Sequence, residues 1–446
     1  MFDASQMMIV IGVLLALVLS GVHIAVSLGI TSALGIYLMQ PDIMVVRTFV
    51  SNTAYEALRD YIFAVIPLFM LMGEFLAKCG AAKDLFALVN RGTKWLPGRL
   101  GVATVFANAI FGFVTGVSIA AAAAFSRIAW PEMKRFGYNR QFSLACIAGS
   151  ACLGMLIPPS VLMIVWGVLT EQAIGQLFIA GVIPGFLVVG VYTIYIVFAA
   201  KRNPALVGED KETVDRLTLS FDHDEAQMKQ VFRSTMMVAG LIVGVLGGIW
   251  LGFFTPTEGA GVGAAAGLAL ALAKGLKPRD VFDVVLTVGR TAAPLLLLLV
   301  MANLYSRVLS MTGITGAAQQ FFLGSGLGPY EILAIMVLIW FILGCIIDSV
   351  SIILLTVPVF APIANALGFD PLAFAIIGIL AIETGLLTPP FGILVFTVKA
   401  ALPQENVSVG EIFKGAIPFW ICLLSVIVII AIWPQTATWL PSVGRG

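Results

Sequence analysis

Long apolar runs recur along this chain, at about residues 7–20, 22–39, 62–79, 100–129, 141–170, 177–200, 234–252, 259–273, 291–312, 327–361, 372–399 and 415–433. A hydrocarbon core about 30 Å thick takes roughly 20 apolar residues per helical crossing. Inside lipid every backbone N–H and C=O must be satisfied by the chain itself, which leaves helices and closed barrels as spanning structures. Continuous runs of this length select helices. No water-soluble core hides so many of them: 60% of the 446 residues are hydrophobic and only 11% are charged, against about 25% charged in an ordinary soluble domain. A soluble enzyme, a nucleic-acid-binding protein and a disordered chain are thereby excluded. The expected fold is an all-α polytopic membrane protein with about ten transmembrane helices.

The net charge of +1 predicts no polyanionic partner. Cys79, Cys146, Cys152, Cys345 and Cys422 lie in or beside apolar runs with no metal-like spacing, and are read as small core residues. The opening MFDASQMMIV has neither a basic n-region nor a small-residue cleavage site, so the first run is expected to be retained.

One polar stretch, 201–233, divides the chain near its midpoint and is expected to be a cytoplasmic linker. The two halves, 1–200 and 234–446, repeat. Ser118, Pro131, Gly137, Gly154, Pro158 and Pro159 recur as Ser349, Pro362, Gly368, Gly385, Pro389 and Pro390, all at one offset of 231 residues. Orientation follows from the basic residues. Of 25 Lys and Arg, 21 fall in 78–99, 127–140, 201–233, 274–290 and 399–414, which the positive-inside rule assigns to the cytoplasm. Segment 100–129 begins and ends beside such clusters, so it is expected to be a re-entrant hairpin with its tip near 115–118. Its counterpart 327–361 is flanked by 313–326 and 362–371, which hold no Lys or Arg, so its ends face outside. The halves are therefore expected to be inverted repeats, each with a hairpin and a broken helix (141–170 and 372–399). Inverted repeats with broken helices point to a secondary transporter with a midplane site.

Four breaks could carry chemistry. Thr115-Gly-Val-Ser118 and Asp348-Ser-Val-Ser351 interrupt the hairpins. Gly154-Met-Leu-Ile-Pro158-Pro159-Ser160 and Gly385-Leu-Leu-Thr388-Pro389-Pro390 interrupt the other two runs. Paired prolines remove two amide donors and leave upstream carbonyls without helical partners. A sodium ion, which takes oxygen ligands, satisfies such carbonyls. Helix N-termini at the same depth offer amides and partial positive charge to a carboxylate. Asp348 is an ionisable group at membrane depth and a functional residue by default; the alternative is a carboxyl bonded to a helix end. Glu383, beside the second break, either adds an oxygen or handles a proton, or is a structural acceptor. With no G-x-x-x-x-G-K-[ST] in the chain, nucleotide hydrolysis is not expected.

These residues resemble the large membrane subunit of TRAP (tripartite ATP-independent periplasmic) transporters. The likeness covers nearly the whole chain: I-P-L-F-M-L-M-G-E at 66–74, L-P-G-R-L-G at 96–101, W-P-E-M-K-R-F-G-Y at 130–138, G-M-L-I-P-P-S at 154–160, F-T-P-T-E-G-A at 254–260, D-S at 348–349, P-V-F-A-P-I at 358–363 and G-L-L-T-P-P-F-G at 385–392. The resemblance implies an ion-transporter-superfamily fold, an elevator mechanism and sodium-coupled uptake of an organic acid across the bacterial inner membrane. It implies a periplasmic substrate-binding protein and a small four-helix membrane subunit, expected on a separate chain. Carried over by position, Na+ would bind first at Thr115, Ser118, Gly154, Leu156 and Pro159. A second ion would use Asp348, Ser349, Gly385, Leu387, Thr388 and Pro390. The organic acid would sit near the tips and the Pro-Pro breaks. The family's first tip usually reads S-G-S-S with an Asp or Thr three residues later; Val117 and Ala121 stand there in this chain. The first site is accordingly expected to rely on backbone carbonyls, to be weak, or to be absent. Two other readings stay open: a stand-alone cation-coupled organic anion symporter, and a membrane scaffold that transports nothing.

Overall fold

A computed structural model describes residues 3–208 and 225–443. The apolar runs become helices, and Gly, Pro and capping side chains set their ends. In order the helices are α1 (Ala4–Leu19), α2 (Ile24–Met39), α3 (Ile43–Arg59), α4 (Val65–Lys78), α5 (Ala81–Gly92), α6 (Arg99–Thr115), α7 (Ser118–Arg135), α8 (Arg140–Ala151), α9 (Leu153–Leu156), α10 (Val161–Thr170) and α11 (Ile174–Arg202). Then come α12 (Glu225–Trp250), α13 (Pro256–Ala273), α14 (Pro278–Thr312), α15 (Ile314–Leu323), α16 (Pro329–Gly344), α17 (Ser349–Ala366), α18 (Pro371–Gly385), α19 (Ile393–Ala401), α20 (Val409–Ile432) and α21 (Gln435–Val443). Much of the expected linker, 209–224, lies outside the described residues.

Four helices open on proline, at Pro256, Pro278, Pro329 and Pro371. There the missing N–H is not needed and the fixed φ suits the first turn. The T-P-T-E stretch is one such start. Thr255 Oγ1 accepts from Glu258 N at 3.2 Å, and Glu258 Oε2 accepts from Thr255 N at 2.8 Å. This reciprocal capping box satisfies two N-terminal donors, so the motif has a structural use at the head of α13.

Among the described residues, seven helical stretches are long and apolar enough to cross a membrane. Five shorter apolar helices accompany them, including α2, α6, α16 and α18. A helix of 16 residues spans only about 24 Å, so these reach through the bilayer only in company with a neighbour. The chain is a multi-pass helical membrane protein.

Packing uses small residues where helices touch, as expected where lipid removes the hydrophobic drive between helices. On α13, Gly263 and Gly267 face Met72 of α4; a Cβ on Gly263 would sit 2.7 Å from its sulfur. Gly29 and Gly35 of α2 lie against Met301 and Val308 of α14 in the same way. A different core joins the interrupted helices. Trp166 of α10 and Trp340 of α16 stand 5.9 Å apart between ring centroids, and Phe374 of α18 contacts both. Gly378 makes room for the two indoles, since a Cβ there would lie 2.7 Å from one and 2.9 Å from the other. The Trp340 Nε1–H donates to Thr356 Oγ1 of α17 at 2.8 Å. Hairpin and broken-helix elements from both halves of the sequence thus share one packed interior.

Candidate cation and substrate site

Each hairpin tip lies directly on a Pro-Pro break. The first hairpin is α6–α7. Its turn needs Gly116, which has φ +60° and would place a Cβ 2.3 Å from Pro159 O. Only a glycine lets the two backbones approach so closely. Val161 N donates to Gly116 O at 3.3 Å, tying tip to break. On the other side, a Cβ on Gly154 would meet Val117 O at 3.1 Å and Ser118 N at 3.2 Å. Ser160 closes the break: its hydroxyl donates to Met155 O and accepts from Met163 N at 3.4 Å, capping α10. All of residues 151–160 are buried.

The second hairpin is α16–α17, and its partner is the break between α18 and α19. Gly344 and Gly385 meet backbone to backbone; a Cβ on Gly385 would fall 2.6 Å from Gly344 Cα and 2.6 Å from Phe341 O. Phe391 N donates to Cys345 O at 3.0 Å. Thr388 Oγ1 donates to Gly385 O at 2.8 Å and lies 2.8 Å from Cys345 Sγ. Asp348 is the N-cap of α17: one carboxylate oxygen accepts from Ser351 N at 3.0 Å and the other from the Ser351 hydroxyl. Asp348, Pro389, Pro390 and Phe391 are exposed, while Leu387 and Thr388 are buried. Both Pro-Pro bonds, Pro158-Pro159 and Pro389-Pro390, are cis.

The sequence-expected residues meet as two groups, with particulars that spacing did not reveal. Gly116, Val117 and Ser118 are brought against Gly154 and Pro159. Thr115 turns its hydroxyl back to Phe111 O at 3.2 Å. The Leu156 carbonyl points to α11, where a Cβ on Gly181 would lie 2.9 Å from it. In the second group Asp348 is bonded to the helix end it precedes, and its exposed oxygens keep free lone pairs. Glu383, Cys345 and Ser160 complete the arrangement and stood outside the expected ligand set. Glu383 is buried on α18, 1% exposed. It accepts from Ser118 Oγ at 2.7 Å and from Ser349 Oγ at 3.1 Å. An acidic residue two positions before Gly385 was its only signal in the sequence. Cys345 had none.

The donors suit a hard cation unequally. Around the second break stand the Ser349 and Thr388 hydroxyls, the Asp348 carboxylate and the Gly385 carbonyl, all oxygens of the kind an alkali ion takes. Around the first break Val117 and Ala121 offer no side-chain oxygen; the Thr115 hydroxyl donates to Phe111 O, the Ser160 hydroxyl to Met155 O, and the Ser118 hydroxyl to Glu383, as that of Ser349 does in the second group. What distinguishes the second group is the Asp348 carboxylate.

The sequence profile of the "Tripartite ATP-independent periplasmic transporter, DctM component" matches residues 11–436. The chain belongs to the TRAP transporter large-permease family. It is 33% identical to the C4-dicarboxylate TRAP transporter large permease DctM of Pseudomonas aeruginosa, over 93% of this chain and 94% of that protein. It is 28% identical to the ectoine TRAP transporter large permease TeaC of Halomonas elongata, over 97% of this chain and 98% of that one. Two solved structures share the fold. The Alcanivorax borkumensis YdaH transporter aligns with a TM-score of 0.64 at 15% identity, over 90% of each chain. Neisseria gonorrhoeae MtrF aligns at 0.58 and 12% identity, over 89% of this chain and 85% of that one. TRAP large permeases are transporters rather than enzymes, and their name makes them one component of three. The hairpins and breaks described above therefore belong to a transporter permease.

Proposed function

We propose that this TRAP large permease takes up an organic acid across the bacterial inner membrane, driven by sodium. A periplasmic binding protein would deliver the carboxylate, and a small four-helix subunit would brace the permease in the bilayer. The observation that carries this reading is the seating of each tip on a Pro-Pro break through glycines, Gly116 on Pro159 O and Gly385 on Gly344. The prolines free carbonyls that lipid cannot solvate, and hydroxyls and a carboxylate stand beside them. Sodium fits that oxygen set, with the Asp348, Ser349, Gly385, Leu387, Thr388 and Pro390 group as the stronger site. The Thr115, Ser118, Gly154, Leu156 and Pro159 group relies on main-chain oxygen.

The two halves, 1–200 and 234–446, are read as inverted repeats joined by a cytoplasmic linker. The aromatic packing of Trp166, Trp340 and Phe374 supports treating hairpins and broken helices as one transport body. That body would slide as an elevator against the remaining helices. Substrates differ among the relatives, and a carboxylate is favoured because α7 and α19 begin without side-chain caps, leaving N-terminal amides for an anion.

Reconstitution tests the reading. Vesicles holding the chain, its small subunit and its binding protein should accumulate a carboxylate only under an inward sodium gradient. Uptake by the chain alone would overturn dependence on the binding protein. Uptake indifferent to sodium would overturn the coupling.

A further inference from the structure

Glu383 touches both tips at once, and no other side chain among the described residues is shown to do so. Ser118 is the first residue of α7 and Ser349 the first residue of α17. Their hydroxyls take opposite oxygens of one carboxyl, Oε2 and Oε1. The two serines share the 231-residue offset, and so do Cys152 and Glu383, whose Sγ and main-chain oxygen meet at 3.6 Å. The carboxyl therefore sits where equivalent positions of the two halves converge. None of the ion pairs among the described residues includes it. Its compensation comes from the two hydroxyls and from the starts of two helices whose dipoles favour negative charge. Withdrawal of either tip strips a donor from a buried carboxyl, which is costly. The position of each tip is thus felt at the other.

We propose that Glu383 is a positioning residue that couples the two candidate cation sites, so that an ion ordering one tip favours binding at the other. This rests on the sodium reading above. It differs from a ligand role, because Glu383 acts through Ser118 and Ser349 and not on the ion. Reciprocal coupling of this kind appears as cooperative binding.

The test is an equilibrium sodium titration of the purified full chain, with potassium holding ionic strength constant. The wild-type isotherm should be sigmoidal, with a Hill coefficient above one. Glu383→Ala should bring the coefficient down to one while sodium still binds. Glu383→Leu, which removes both acceptor oxygens at similar bulk and touches neither candidate ligand set, should do the same. Glu383→Gln should keep the cooperativity, since its amide accepts from one serine and donates to the other. A purely structural residue would change stability in these variants without moving the coefficient. If Glu383→Ala does not fold, Glu383→Leu gives the same comparison. Wild-type cooperativity in Glu383→Ala or Glu383→Leu overturns the proposal alone. A wild-type chain that binds no sodium overturns the sodium reading and the coupling with it.

Discussion

The first hairpin turns between α6 and α7 in two residues, Gly116 and Val117, whereas the second takes four, Cys345 to Asp348. Their helix starts are capped crosswise. In the first group α7 has Val117 at its N-cap and no side-chain cap, and α10 is capped by Ser160. In the second, α17 is capped by Asp348, and α19 has Gly392 at its N-cap and no side-chain cap. The first group has a fully buried break beneath a half-buried tip at Thr115 and Val117; the second is open at Asp348 and Pro389 to Phe391 and carries a carboxylate. A cap supplies oxygen and consumes amides, while a bare start leaves amides free. Each group therefore keeps one oxygen-bearing start and one amide-bearing start, in opposite places. Repetition of landmarks at a constant offset does not make the two groups chemically equal.

The strongest way to break this comparison is to fill the glycine contacts. Gly385→Ala drives a Cβ into three backbone atoms that cannot swing away. We expect uptake to be lost and stability to fall by about 1–3 kcal/mol, read by thermal unfolding in detergent beside vesicle uptake. Gly116→Ala meets one carbonyl and also demands an unfavourable φ. If it is tolerated where Gly385→Ala is not, the first group is the more pliable.

Asp348 separates capping from ion binding. Asp348→Ala should abolish sodium-driven uptake in a chain that still inserts, and remove a cap worth about 0.5–2 kcal/mol. Asp348→Asn keeps a capping oxygen without the charge, so stability should recover while sodium affinity stays low. Undiminished uptake by the alanine variant would remove Asp348 from the site.

Smaller effects should follow from exchanging caps. Ser160→Ala ought to destabilise by about 1 kcal/mol, seen as a lower unfolding temperature. Phe391 stands at the matching position 231 residues on but one residue before Gly392, the N-cap of α19, so Phe391→Ser should add no cap and leave the unfolding temperature unraised. Val117→Ser returns a hydroxyl to the first tip; sodium binding there should tighten by on the order of 1 kcal/mol, measured as a lower half-saturating concentration. No change would mean that main chain alone governs the first group.

The smallest effect concerns the foot of the first hairpin. Lys134 Nζ lies 2.9 Å from Glu405 at the turn after α19, and its hydrogen bond holds the Glu405 carboxyl below the usual carboxylate range. A lowered value in the folded state means stabilisation present above the ordinary carboxylate pKa and lost as pH falls through the lowered one. Both groups are on the surface and screened by salt. Lys134→Ala should therefore change acid unfolding slightly, and high salt should erase the difference.

Much of the fold was legible because lipid permits so few solutions. The apolar runs 177–200 and 415–433 became α11 and α20, with three of the four ends within three residues and the start of α20 six residues early. The tip expected at 115–118 is the turn at Gly116 and Val117, where Gly116 takes a φ of +60° that other residues rarely adopt. The segment 100–129 was drawn short: α7 runs on through Pro131 to Arg135, because a proline ends a helix only where its neighbours cannot satisfy the freed carbonyl. Helices α3, α5, α15 and α21 lay outside the apolar runs altogether. The first two are too mixed in polarity to be seen by hydrophobicity, and the last two are too short.

The sequence by itself determined a helical membrane protein, three of the four breaks and the repeated landmarks that place them, since glycine, proline and long apolar runs act through local backbone physics; the second tip, expected at 348–351, turns at 345–348, and Ser349 to Ser351 already belong to α17, which Asp348 caps. Only the tertiary structure decided which side chains share an atom. Ser118 and Glu383 stand 265 residues apart in sequence and 2.7 Å apart in space. Thr388 found Cys345, and the Leu156 carbonyl turned to Gly181 in place of the tip. Such contacts depend on how close two backbones can come and on which rotamer then fits, and no local pattern carries that information.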